Sequence, residues 1–225
     1  MSDVFAAAPV PSYRLIPSRF PPIGLFDTVA TTADAEKVME LAGWTNDRLV
    51  AERLRRLPEE EWVYGRPNAS VVMASYLHVP LGGARFNGPD LGAWYAAATL
   101  RTAAFEVGHH LRREAVLSGM ASLTREYRTY TAELAGSYLD IRGQQAERPA
   151  VYALMSYTVS QALGEGVRSS GGAGIIYDSL RHLGGVNIVA HRPSNILQVK
   201  QADHWQMAVQ AASPRIEMVK LTVRG

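Results

Sequence analysis

The chain has 225 residues, with 23 Lys plus Arg against 21 Asp plus Glu and no cysteine. A net charge of +2 implies no dominant electrostatic grip on nucleic acid. The missing thiols exclude disulfide scaffolds, thiolate zinc sites, iron–sulfur clusters and cysteine nucleophiles, and they fit a reducing compartment. Hydrophobic residues at 47% and charged residues at 20% are ordinary for a globular chain. No stretch approaches the roughly 18 apolar residues of a membrane span.

The start is not read as an export signal. Asp3 stands where such a signal carries Lys or Arg, and the apolar residues 4–10 are broken by Pro9 and followed by Pro11. Residues 13–16 read as a strand, and 18–22 as irregular because of their prolines. Residues 33–42 have helical composition. Residues 47–57 predict a better helix: Leu49, Val50, Leu54 and Leu57 share a face, Asn46 caps it and Pro58 stops it. Arg48, Arg53, Arg55 and Arg56 on this helix, followed by Glu59–Glu61, read as a solvated face whose charges cancel locally. Residues 70–77 are rich in β-branched and aromatic types and predict a strand.

Residues 80–90 are a run of turn chemistry, and 93–96, centred on Trp94 and Tyr95, a short strand. Thr99 then caps a helix with the stripe Leu100, Ala104, Val107 and Leu111, ending near Gly119. Residues 121–134 predict one or two strands and 138–141 another. Pro149 suits the first turn of a helix lined by Val151, Leu154, Met155, Thr158 and Ala162. A glycine-rich loop follows at 164–174. Residues 175–177, 186–190 and 205–209 read as short strands. Residues 216–223 alternate, with a phase slip at 218–219 that suggests a bulge. Strands and helices intermingle without βαβ rhythm, so the expected class is α+β.

Among chemical motifs, the run 164–174 has neither GxGxxG opening a helix nor GK[ST], and is read as a flexible turn. His109 and His110 are adjacent on a helix and point about 100° apart. No HExxH is present, so no metal is expected. No GxSxG elbow occurs, which sets a serine hydrolase aside. Arg85 in a Gly/Pro turn, Tyr95 in the next strand and Glu106 in the following helix stand out, each at an element edge. An arginine in a tight loop suits a bidentate grip on phosphate or carboxylate, and a nearby carboxylate suits a developing positive charge. Against that, Glu106 lies about 120° from the centre of its helix's apolar stripe. Periodicity alone predicts a boundary Glu paired with His110 or Arg113.

Gly83-Ala-Arg-Phe-Asn, Ala93-Trp-Tyr-Ala, Thr102-Ala-Ala-Phe-Glu-Val and Gly174-Ile-Ile-Tyr-Asp-Ser-Leu-Arg, with Gly185-Val-Asn-Ile-Val after the last and Tyr13-Arg-Leu-Ile before the first, together resemble the RES domain family over about residues 12–200. The resemblance implies an ADP-ribosyltransferase-like fold and a cytoplasmic toxin of a toxin–antitoxin pair. Such a toxin consumes NAD as a phosphorylase or glycohydrolase, or ADP-ribosylates a protein. The implied partner is an Xre-like helix-turn-helix antitoxin, with DNA reached only through it; inorganic phosphate is an implied co-substrate, and self-association is left open. Carried over by motif, the site is Arg14, Arg85, Tyr95, Glu106 and Ser179. Arg85 with Arg14 would neutralise the NAD pyrophosphate, and Tyr95 would stack on or hydrogen-bond the nicotinamide end. Glu106 would hold the ribose and stabilise the oxocarbenium-like charge. Ser179 would hydrogen-bond substrate rather than attack it. Asn187 is read as a structural Asn.

Two motif positions depart from the family: Phe86 stands for its usual Trp and Ala84 for its second glycine. The 71 residues from Arg14 to Arg85 exceed the family's spacing. The chain is therefore expected to be one domain, 1–225, with a partly helical insertion at about 18–70. A catalytically inactive binding module is the alternative from another class.

Overall fold

The computed structural model describes residues 3–19, 24, 26–35, 37–38, 52–53 and 55–222. Most of the helix predicted at 47–57, part of that at 33–42 and most of the irregular stretch at 18–22 lie outside them. Among the described residues the strands are β1 (Phe5–Ala6), β2 (Ser12–Pro17), β3 (Trp94–Ala97), β4 (Ser122–Leu134), β5 (Tyr138–Asp140), β6 (Gly174–Asp178), β7 (Val186–Ala190), β8 (Ile196–Gln210) and β9 (Ser213–Leu221). They form one sheet in the order β1-β5-β6-β7-β3-β2-β4-β8-β9. Only the β5–β6 ladder is parallel. With helices α1 (Ala69–Leu77), α2 (Leu100–Leu117) and α3 (Thr158–Ser169) on its faces, the protein is of the α+β class.

Strand alternation assigns the faces. Trp94, Ala96, Ile176, Ile188 and Ala190 join α1 and residues from 26 onward in one core. Their strand neighbours turn the other way. Ala93, Ile175, Tyr177 and Val189 pack with Leu163 and Val167 of α3. Leu15 and Ala97 pack with Ala103, Ala104 and Leu111 of α2. The α2 helix forms as predicted, with Thr99 Oγ1 accepting from the Thr102 amide at 3.1 Å.

Three local expectations fail. Residues 70–77 are helical, not extended. All of α1 except Ala74 and Ser75 is buried, so the segment has no polar face to reveal a period, and β-branched composition points to the wrong element. Its start is stabilised from far away: Asp27 accepts from the Asn68 amide at 2.9 Å and from the Ser70 amide at 2.8 Å. A carboxylate there meets both the open N–H groups and the helix dipole. Second, Pro149 opens turns rather than a helix, and α3 begins at Thr158 and absorbs the first half of the supposed glycine loop. Gly164 sits mid-helix because the backbone of Phe86 lies against it. Third, the β8–β9 register shift falls at Val209/Gln210, beside the hairpin turn, while Met218 and Val219 pair regularly with Met207 and Gln206.

His191 is buried at 1% exposure; its Nδ1 lies 3.4 Å from Arg168 Nη2, and its Nε2 has no hydrogen-bond partner among the described residues. Burial first, then the Arg168 charge, pulls its pKa from 6.5 down to about 3. A depressed histidine stays neutral in the fold, whereas the unfolded chain takes up a proton below pH 6.5. The stability it contributes is therefore full above about 6.5 and is lost as pH falls toward 3. Between pH 7 and pH 5 this one group should cost about 2 kcal/mol. Urea unfolding of wild type and His191→Asn at both pH values checks it: the variant should show a smaller drop, by about that amount.

Candidate functional site

The sheet is divided at its middle. β2 pairs with β4 along its whole length, from Ser12↔Ala132 to Pro17↔Tyr127, and β3 pairs fully with β7. Between β2 and β3 only Tyr13↔Ala97 is in register. The two halves diverge from that point, and a cavity of about 200 Å³ lies in the opening, lined among others by Arg14, Tyr95, Glu106 and Asn187. Backbone groups that would have formed a ladder face this gap. Arg14 reaches across to one of them, donating from Nη1 to the Tyr95 carbonyl at 3.1 Å, with its guanidinium 4.7 Å from the centre of the Trp94 ring. Desolvation lowers its pKa to about 10, offset in part by the phenols of Tyr76 and Tyr95. Arg14 thus remains a cation at neutral pH, largely stripped of water, where its field is strong.

Glu106 enters the same cleft from α2. One carboxylate oxygen, Oε1, accepts from Ser179 Oγ at 2.6 Å and from Asn187 Nδ2 at 2.7 Å. The other, Oε2, accepts no hydrogen bond among the described residues. Partners on β7 and after β6 fix the carboxylate and leave one oxygen for a ligand. The expected pairing with His110 or Arg113 does not form. Helix α2 has two contact flanks, one on the sheet and one on the turn after β6, and the apolar stripe marks only the first.

That turn is tightly built. Ser179 N donates to the Gly185 carbonyl and Gly185 N to the His182 carbonyl, both at 2.8 Å. Ser179 Oγ also accepts from the amides of Arg181 (3.1 Å) and His182 (2.9 Å). Its only proton therefore points at Glu106, and its lone pairs are engaged by amides. This geometry makes Ser179 a holder of the carboxylate rather than a nucleophile.

Two motif residues serve the neighbouring loop. Tyr95 donates its hydroxyl to Asn87 Oδ1 at 2.8 Å and accepts the Phe86 amide at 2.9 Å. Its ring borders the cleft, but its hydroxyl fastens the Gly/Pro turn. Burial holds the phenol well above its ordinary pKa, so it stays protonated. Arg85 is not part of the cleft wall. Its Nη1 donates to the carbonyls of Val151 (3.1 Å) and Ala153 (3.0 Å), and its guanidinium stacks 4.7 Å from the Tyr157 ring centre. Phe86 is buried edge-on against Tyr177, 4.7 Å between ring centres. The structure therefore brings Arg14, Tyr95, Glu106 and Ser179 together and leaves Arg85 beside them, engaged with the 151–157 turns.

Asn187 was underrated in the sequence. A polar side chain inside the apolar strand Val-Asn-Ile-Val-Ala was its available signal, since buried amides in such strands need a specific partner. His109 and His110 meet edge to face at 5.5 Å, and among the described residues no group of three or more His, Asp or Glu is placed to hold a metal. No helix among them is long and apolar enough to cross a membrane.

No curated protein matches the chain. Among solved structures it is similar to a chain of the M. tuberculosis MbcT–MbcA toxin–antitoxin complex, at 21% identity and a TM-score of 0.41, covering 59% of this chain and 74% of that one. The RES domain pattern matches residues 53–210. This span takes in Arg85, Tyr95, Glu106, Ser179 and Asn187, while Arg14 lies before it. The match extends over well over half of the sequence, and the chain belongs to the RES domain family.

Proposed function

We propose that this RES domain protein is the toxin of a toxin–antitoxin pair and that it consumes NAD by breaking the bond between nicotinamide and ribose. One observation carries the reading: a half-buried carboxylate, Glu106, has one oxygen fixed by Ser179 and Asn187 and shares a cleft with the desolvated cation Arg14. Cleavage sends the C1′–N bonding pair to the pyridinium nitrogen, releasing neutral nicotinamide and leaving positive charge on the ribose. Glu106 stands as the countercharge for that oxocarbenium-like state and as the group that holds the ribose hydroxyls. Ser179 and Asn187 keep it oriented, so little reorganisation accompanies the charge.

Arg14 is the cation for the dinucleotide phosphates. Tyr95 offers its ring to the nicotinamide end while its hydroxyl secures the Arg85 turn. Arg85 contacts the phosphates only by exchanging its partners at Val151 and Ala153; in the observed arrangement it shapes the 151–157 turns. Capture of the ribosyl cation by a phosphate oxygen yields ADP-ribose 1″-phosphate. Capture by water yields ADP-ribose and a proton, and capture by a protein side chain yields ADP-ribosylated protein.

The whole chain is read as one RES domain with the stretch at about 18–70 as an insertion, the partner as an Xre-like antitoxin, and the place of action as the cytoplasm, where NAD is available. The deciding experiment incubates the purified chain, free of antitoxin, with NAD in phosphate and in phosphate-free buffer and resolves the products. Nicotinamide should appear, and the phosphate dependence distinguishes phosphorolysis from hydrolysis. Unchanged NAD in both buffers would overturn the reading. Label transferred from NAD to a macromolecule in lysate, in place of small products, would identify the transferase alternative.

A further inference from the structure

The turn between β6 and β7 brings Ser179 to Glu106, yet the tip of that turn stands in solvent. Leu183 is 100% exposed, and Gly184 beside it takes a positive φ of 74°. An exposed turn holds a side chain in a fixed place only where it is tied to a rigid element. His182 makes that tie at both ends. Its amide donates to Ser179 Oγ at 2.9 Å, and its carbonyl accepts from the Gly185 amide at 2.8 Å. Its ring reaches α2, where it lies flat on Phe105, with ring centres 4.7 Å apart and an interplanar angle of 1°. His182 Nδ1 lies 2.9 Å from Thr102 Oγ1, which in turn lies 2.9 Å from Thr99 Oγ1, the cap of the helix.

Thr102, Phe105 and Glu106 stand at i, i+3 and i+4, so they share one flank of α2. The carboxylate that accepts from Ser179 and the two residues that receive the His182 ring therefore lie on one surface. Gly185 makes room for the ring: a Cβ there would stand 2.8 Å from His182 Nδ1 and 2.8 Å from Thr102 Cγ2.

We propose that His182 is a positioning residue, whose ring docks the Ser179 turn on the flank of α2 that carries Glu106 and so sets the Ser179 Oγ–Glu106 Oε1 bond. This deepens the NAD-cleaving reading and rests on it for the effect on rate. The ring acts through Ser179 and not on the substrate. Asn187 reaches the same carboxylate oxygen from β7, a strand that is paired on both sides. Loss of the His182 ring thus leaves Glu106 with one firmly held partner in place of two, and the carboxylate is less well oriented toward the ribosyl cation.

The experiment uses the full chain and His182→Ala, with thermal unfolding as a check on folding. His182→Asn, which keeps a polar atom near the Nδ1 position but loses the stack, is read in its place should the Ala variant fail to fold. Hydrogen exchange at the Ser179, Arg181 and Gly185 amides, followed by NMR, should quicken by about 10-fold or more, while exchange in β4 stays as in wild type. Equal exchange in a folded variant overturns the docking role whether or not the protein acts on NAD. In nicotinamide release, kcat should fall by about 10- to 100-fold with a smaller change in KM, because orientation of the carboxylate serves the transition state. An unchanged kcat overturns the proposal. Combined with Ser179→Ala, the His182 substitution should slow the reaction no further; a full additional loss overturns action through Ser179. If the wild type releases no nicotinamide, the NAD-cleaving reading falls, and the exchange rates alone decide whether His182 docks the turn.

Discussion

Glu106→Gln is expected to lower the rate of nicotinamide release by about 10²- to 10³-fold while leaving the fold intact. The substitution separates charge from geometry. The Gln carbonyl oxygen can still accept from Ser179 Oγ and Asn187 Nδ2, the two donors that hold Oε1 at 2.6 and 2.7 Å. What disappears is the negative charge opposite the developing oxocarbenium. Beside a desolvated arginine, one preorganised charge contributes about 3–4 kcal/mol to the transition state. The unfolding midpoint should move by no more than about 4 °C, equivalent to roughly 1 kcal/mol in a chain of this size. A folded Glu106→Gln protein with wild-type turnover would remove Glu106 from the chemistry and with it the mechanism proposed above.

Gly164→Ala should destabilise the protein by about 3 kcal/mol, a fall of roughly 6–12 °C in midpoint. In an ordinary helix interior the same change stabilises by about 1 kcal/mol. The sign reverses because a Cβ at 164 would stand 2.0 Å from the Phe86 carbonyl oxygen, 2.6 Å from its carbonyl carbon and 2.9 Å from its Cα. Those are backbone atoms of the loop that carries Arg85, and they have no rotamer with which to yield. Either α3 or the loop must move. Phe86 rests on Tyr177 and its amide on the Tyr95 hydroxyl, so catalysis should fall along with stability. Gly166 is the internal control: it is exposed on the same helix, a Cβ there meets nothing within 4 Å, and Gly166→Ala should gain roughly 0.5–1 kcal/mol. Calorimetry of the two variants side by side tests the contrast. Equal and stabilising shifts would mean that the close approach of α3 to the Phe86 loop does not exist in solution.

Helix α2 was legible because every signal it needs is local. Thr99 caps its own helix, and the stripe from Leu100 to Leu111 reports the flank that packs on the sheet. The central strands β3, β6 and β7 were legible as short apolar runs bounded by turn residues. Helix α1 was not, because burial on all sides erased its periodicity and its N-terminal partner, Asp27, lies some forty residues upstream. Helix α3 was misplaced for a related reason. Its glycines signal a loop locally, whereas one of them exists to admit the backbone of Phe86.

The sequence by itself determined the α+β class, the absence of thiol chemistry and the residue types of the candidate site. Composition, short-range periodicity and the ordered RES-like blocks depend only on neighbours along the chain. Which of those residues meet was decided by tertiary structure. The divergence of β2 from β3 after Tyr13↔Ala97 opens the cleft and places Arg14 in it. The return of β6 and β7 beneath α2 delivers Ser179 and Asn187 to Glu106. The turns at 151–153 hold Arg85 aside. Each of these outcomes depends on contacts between residues 66 or more positions apart, made only when strands pair, and no local pattern encodes where two halves of a sheet separate.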